Sequence, residues 1–185
     1  MRIFIAADVS AKAGIIKLQQ EIMSNTWSSS EASPVERNNF HFVLMFLGEQ
    51  DEGMVGRIKA KLSELKFEPI RLTYAGITGY PEPDSASTIG LGVDEQSGWR
   101  LTDLAAKVAA KMKEVGIEPD KPFVPRITIF HAKDRPLEVG RAFAKYRGKT
   151  FGSDLVDKIH IRKTSSQPGR FYSDVFTVNA VKKQS

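Results

Sequence analysis

His41 and Arg126 each open a short apolar segment, and the residue two positions further on differs between them: Val43 after the histidine, Thr128 after the arginine. An imidazole titrates near neutrality and can take or give a proton at physiological pH. A guanidinium stays charged and offers a fork of donors to an anion, while a threonine hydroxyl can hold one more oxygen. The segments look like two copies of a His-x-Thr strand, each with one polar group lost: His41-x-Val43 and Arg126-x-Thr128.

The elements that must carry these residues follow from hydrophobic periodicity. Strands are expected at 2–7, at the His41 segment ending at Gly48, at 70–77, at 88–93, along the Arg126 segment, and near 156–162 and 173–181. Helices are expected at about 11–23, 51–65, 101–115 and 137–146, the first capped by Asp8 or Ser10. Residues 25–33 read as a Ser-rich loop with Trp27 as a packing anchor, and 79–84 as a turn. The order repeats between the halves with little residue identity. It predicts an α+β fold of two pseudo-symmetric lobes of antiparallel sheet, with helices on the outer faces and a central cleft, in one domain spanning 1–185.

Strict alternation would put Phe42, Leu44 and Phe46 under the helices and His41, Val43 and Met45 on the cleft face. On the second strand Ile127 and Ile129 would be buried and Arg126, Thr128 and Phe130 would face out. His131 would then point away from Arg126 unless a bulge re-aims it.

The chain has 185 residues, enough for a core without staples, and no cysteine, which excludes disulfides, thiolate metal sites and a cysteine nucleophile. No apolar run could span a bilayer or serve as a signal peptide, so a soluble, cytoplasmic protein without membrane partners is expected. A net charge of +5 favours an anionic partner such as RNA. His131 and His160 lack partners at metal-ligand spacing, so no metal site is expected. Arg162, Lys163 and Arg170, with Tyr172 beside them, combine charge and ring faces suited to single-stranded RNA, while Phe171 reads as core.

Several segments in order carry a resemblance: Arg2-x-Phe4-Ile5-Ala6, Val35 through His41 to Phe46-Leu47-Gly48-Glu49, Pro81-x-Pro83, Phe123-Val124-Pro125, and Phe151-Gly152-Ser153 through Lys163-Thr164-Ser165 to Pro168-Gly169. In these the chain resembles the RNA 2′,3′-cyclic phosphodiesterases, or 2′-5′ RNA ligases, of the two-histidine phosphoesterase superfamily. The resemblance implies two His-x-Thr motifs facing across a cleft, no metal or other cofactor, one imidazole deprotonating water and the other protonating the leaving ribose oxygen. It further implies a substrate among RNA with 2′,3′-cyclic phosphate or 2′-5′ linked ends and small cyclic nucleotides. Only His41 and Thr128 match that pattern here. Arg126 replaces the second histidine, Val43 the first threonine, and His131 stands where an arginine is common. Ser87 and Gly90 replace an arginine and a tryptophan found in many relatives.

The expected function is a metal-free RNA 2′,3′-cyclic phosphodiesterase, monomeric and of reduced activity, with His41 as the surviving acid-base group and Arg126 and Thr128 on the phosphate. The alternatives are a non-catalytic binder of RNA ends or nucleotides in the same cleft, and an interaction scaffold.

Overall fold

Alternating apolar runs and two acidic helix caps set the frame. The computed structural model describes residues 1–165 and 172–182, without the side chains of 141–143, so Arg170 and Phe171 lie outside the described residues. In chain order the elements are β1 (Arg2–Asp8), α1 (Lys12–Asn25), β2 (Ala32–Pro34), a 3₁₀ turn (Arg37–Asn39), β3 (His41–Glu49), α2 (Glu52–Ser63), β4 (Ile70–Glu82) and β5 (Ser85–Val93). They continue with α3 (Glu95–Lys113), β6 (Arg126–Ala132), α4 (Gly140–Tyr146), β7 (Thr150–Val156), β8 (Lys158–Thr164) and β9 (Tyr172–Asn179).

The strands form two sheets, ordered β3-β1-β8-β9 and β2-β6-β5-β4-β7, and their pairings are antiparallel. The α+β class with two antiparallel sheets is as expected. Each sheet takes strands from both halves of the chain, so the duplication is interleaved. Each motif strand pairs with the strand that precedes the neighbouring long helix, β3 with β1 and β6 with β5. The two motif strands meet where the sheets face each other.

Asp51 caps α2 by accepting from the Met54 amide, and Asp94 caps α3 by accepting from the Ser97 amide. That cap starts α3 ahead of the expected Leu101. The cap expected for α1 is absent: the amides of Ser10 and Ala11 donate to Asp154 on β7, at 3.1 and 3.0 Å. Asp8 is used elsewhere. The expected turn at 79–84 is mostly strand, since β4 runs on to Glu82 and folds straight back into β5. The short β2 and the whole of β7 were not expected.

One apolar cluster joins both sheets to the helices. The stacked rings of Phe42 and Tyr74, 6.3 Å apart, link the first sheet to the second. Trp27 is buried edge-on against Phe130, the packing role expected of it.

Candidate active site

A bulge interrupts each motif strand directly after its motif. On β3, Val43 pairs with Ala6 and Met45 with Ile5, leaving Leu44 as the extra residue. On β6, Thr128 pairs with Gly90 and Phe130 with Ile89, leaving Ile129 extra. A bulge shifts the alternation by one position. Met45 is therefore in the core at 4% exposure, while Phe46 is 59% exposed, the reverse of the expectation. Phe130, expected to face out, is fully buried, and His131 is turned to the cleft. The consecutive apolar pairs Leu44-Met45 and Ile129-Phe130 were the available signal: a strand with one wet face cannot bury two neighbours without such a shift.

The result is a cleft of about 930 Å³ lined by His41, Val43 and Phe46 from one motif strand and by Thr128 and His131 from the other. That is room for a nucleotide. Tyr172 adds a ring from β9, edge-on to His41 at 5.2 Å and to Phe4 at 5.1 Å. The charged lining residues are Arg2, Lys121, Glu36, Glu118 and Asp120. Cations and anions are thus mixed, so binding of an anion has to come from particular donors.

His41 is held from behind by a charged network on the same face of the first sheet. Arg162, 7% exposed, donates from Nε to Asp174 at 2.8 Å and from Nη2 to Asp8 at 3.0 Å. Its Nη1 lies 3.3 Å from Nδ1 of His41. A guanidinium only donates, so Nδ1 is the acceptor and the ring carries its proton on Nε2. Burial, and then the Arg162 charge, push His41 down to about 4, with Asp8 and Asp174 opposing. At neutral pH the ring is a neutral hydrogen-bond donor. The buried His160, with Nδ1 2.8 Å from the Thr177 hydroxyl, completes the network. His160 and Arg162 hold the Asp8 carboxyl well below the usual carboxylate range against the opposing effect of burial. Arg162 is thus a support for His41, not the surface RNA contact expected, because two carboxylates take its donors inside the sheet.

Arg126 shares the face of Thr128 but is not among the residues lining the cleft. Its side chain runs flat across β5, where a Cβ on Gly90 would come within 3.0 Å of its Cδ, and its guanidinium rests on the ring of Tyr80. Nη1 is buried there without a hydrogen-bond partner. Burial lowers the Arg126 pKa from its ordinary value. The pairing of His41 with Arg126 across one phosphate is therefore not what these positions show, and Gly90 is the reason. Without a side chain at 90, the arginine can lie across β5 and onto Tyr80. Lys163 is exposed on β8 outside the cleft lining.

Among the described residues no group of three or more His, Cys, Asp or Glu is placed to hold a metal ion. None of their helices is long and apolar enough to cross a membrane.

Two facing antiparallel sheets with a cleft between duplicated motif strands define a LigT-like phosphoesterase fold, and solved structures share it. E. coli LigT complexed with 3′-AMP superposes with a TM-score of 0.74 at 20% identity over 97% of both chains. TT0787 of Thermus thermophilus superposes with a TM-score of 0.77 at 19% identity over the full length of both. Residues 6–89 match the LigT like Phosphoesterase family. An RNA 2′,3′-cyclic phosphodiesterase of Archaeoglobus fulgidus is 32% identical over 176 residues, 95% of this chain and 98% of the relative. One from Aquifex aeolicus is 35% identical over 148 residues, covering 76% and 78%. The chain belongs to this family of RNA 2′,3′-cyclic phosphodiesterases.

Proposed function

We propose that the cleft opens a terminal 2′,3′-cyclic phosphate of RNA by attack of water, without a metal, with His41 and Thr128 on either side of the phosphate. The observation that carries this reading is that those two residues, from strands of different sheets, line one nucleotide-sized cleft. Water forms a new O–P bond and one ribose oxygen leaves phosphorus. The Nε2–H of His41 donates to that oxygen and strengthens its bond as negative charge develops there. The Thr128 hydroxyl holds a phosphoryl oxygen. Phe46 and Tyr172 offer rings to the base.

Position 126 supplies no proton acceptor, because a guanidinium does not titrate in this range. With no other acceptor, the proton of the attacking water would pass to solvent and the rate would fall by ~10²- to 10⁴-fold relative to a site with a full acid-base pair. A second reading, a non-catalytic receptor for RNA ends, draws on the same feature. Initial rates on an RNA oligonucleotide ending in a 2′,3′-cyclic phosphate, with binding measured alongside, separate the two. Hydrolysis that needs His41 supports the enzyme, and tight binding without turnover supports the receptor.

A further inference from the structure

The second motif strand brings an imidazole to the cleft at a position that alternation would have hidden. Thr128 and His131 both line the cleft, because Ile129 and Phe130 between them are both fully buried. Such a bulge takes backbone groups out of the ladder, and here the Ile129 carbonyl is met in the interior. It accepts from Nε2 of Gln19 at 2.8 Å and from the Val35 amide at 2.9 Å. Gln19, on α1 and 5% exposed, also donates to the Val35 carbonyl at 3.0 Å. A buried amide with two designated acceptors fixes the shifted register. On the cleft face His131 is flanked across the strands by uncharged residues, Ser33 on β2 and Thr88 on β5. The charged groups sharing the cleft are Arg2, Lys121, Glu36, Glu118 and Asp120.

We propose that His131 is the proton acceptor of the reaction, taking over from position 126. The inference rests on the hydrolytic reading above. A lone pair of the His131 ring takes the proton of the attacking water as its oxygen bonds to phosphorus. The P–O bond to ribose breaks on the side of His41, the released oxygen takes a proton from solvent, and His131 returns its own to solvent. One water is consumed and a phosphomonoester with a free ribose hydroxyl is formed. The exchange of side chains between 126 and 131 then makes physical sense: the arginine lies over Gly90 and onto Tyr80, and the imidazole has the bulge.

The test uses the full chain and an RNA oligonucleotide with a 2′,3′-cyclic phosphate, with kcat and KM measured from pH 5 to 9 for the natural protein, His131→Gln, His131→Arg and His41→Ala. Thermal melts confirm that each variant is folded. The expected result is a loss of ~10²-fold or more in kcat for His131→Gln, with KM within about threefold, and disappearance of the acid limb of the pH profile. His131→Arg puts a cation beside the phosphate but supplies no acceptor, and is expected to lose kcat equally. Natural kcat in His131→Gln or His131→Arg, with His41→Ala inactive, would overturn the role of His131 and leave the cyclic phosphodiesterase standing. A natural protein with no turnover would overturn both.

Discussion

The side-chain amide of Gln19 reaches from the first helix to the carbonyl of Ile129 in the second motif strand, 2.8 Å away. It shares that carbonyl with the Val35 amide, and so ties the register of β6 to α1. Gln19→Leu keeps the approximate volume and removes both donated bonds, leaving the buried Ile129 carbonyl with the Val35 amide alone and the part-buried Val35 carbonyl without its Gln19 donor. It is expected to cost about 1–3 kcal/mol in denaturant unfolding and to lower kcat with His131 still present. Unchanged stability would show that the amide contributes nothing to the bulge.

Phe130 and Phe46 give a second test of the shifted register. Phe130 is fully buried and Phe46 is 59% exposed. Phe130→Ala is expected to destabilise by ~3–5 kcal/mol and Phe46→Ala by about 0.5 kcal/mol or less, measured by urea unfolding. Equal costs would contradict the bulged geometry.

The fold was legible because period-two runs and helical stripes are local signals, whereas the cap expected for α1 did not form. The site was legible in part. His41 and Thr128 sit on regular stretches just ahead of the bulges, where alternation holds, and both line the cleft as expected. Met45, Phe46, Phe130 and His131 lie past the bulges, where alternation inverts. The fates of Arg126 and Arg162 depend on Tyr80, Gly90, Asp8 and Asp174, which are distant in sequence. No local pattern announces such partners.

Arg126 offers a third prediction. Its guanidinium rests on Tyr80 outside the cleft lining. Arg126→Ala is therefore expected to leave KM for the cyclic phosphate within about threefold, less than the ~1.5–3 kcal/mol that a charged phosphate contact would carry. A tenfold or greater rise in KM would show that the side chain swings into the cleft when substrate binds.

The Arg162 network predicts a pH dependence of stability. His41 has a folded value of about 4 against an ordinary 6.5, so between those values the unfolded chain binds more protons. Its contribution to stability is full above pH 6.5 and is lost as the pH falls towards 4. Asp8 is depressed, so its contribution is lost only in stronger acid, as the pH falls through its low folded value. Arg162→Gln removes the cation beside His41, and the ring is expected to titrate at higher pH by NMR. Removing this buried partner of two half-exposed carboxylates is also expected to cost roughly 3 kcal/mol, the low end for a broken buried pair. A His41 titration that does not move would show that burial alone sets its value.

The most direct measurement of the central claim is the initial rate of cyclic phosphate opening by the natural protein, His41→Ala and Thr128→Ala, on the same RNA oligonucleotide without added metal and with chelator present. The natural protein is expected to turn over. Each substitution is expected to lower kcat/KM by ~10²-fold or more, since each removes a donor that the proposed reaction places on the phosphate. Turnover undiminished in both variants, or present only when metal is supplied, would contradict the account.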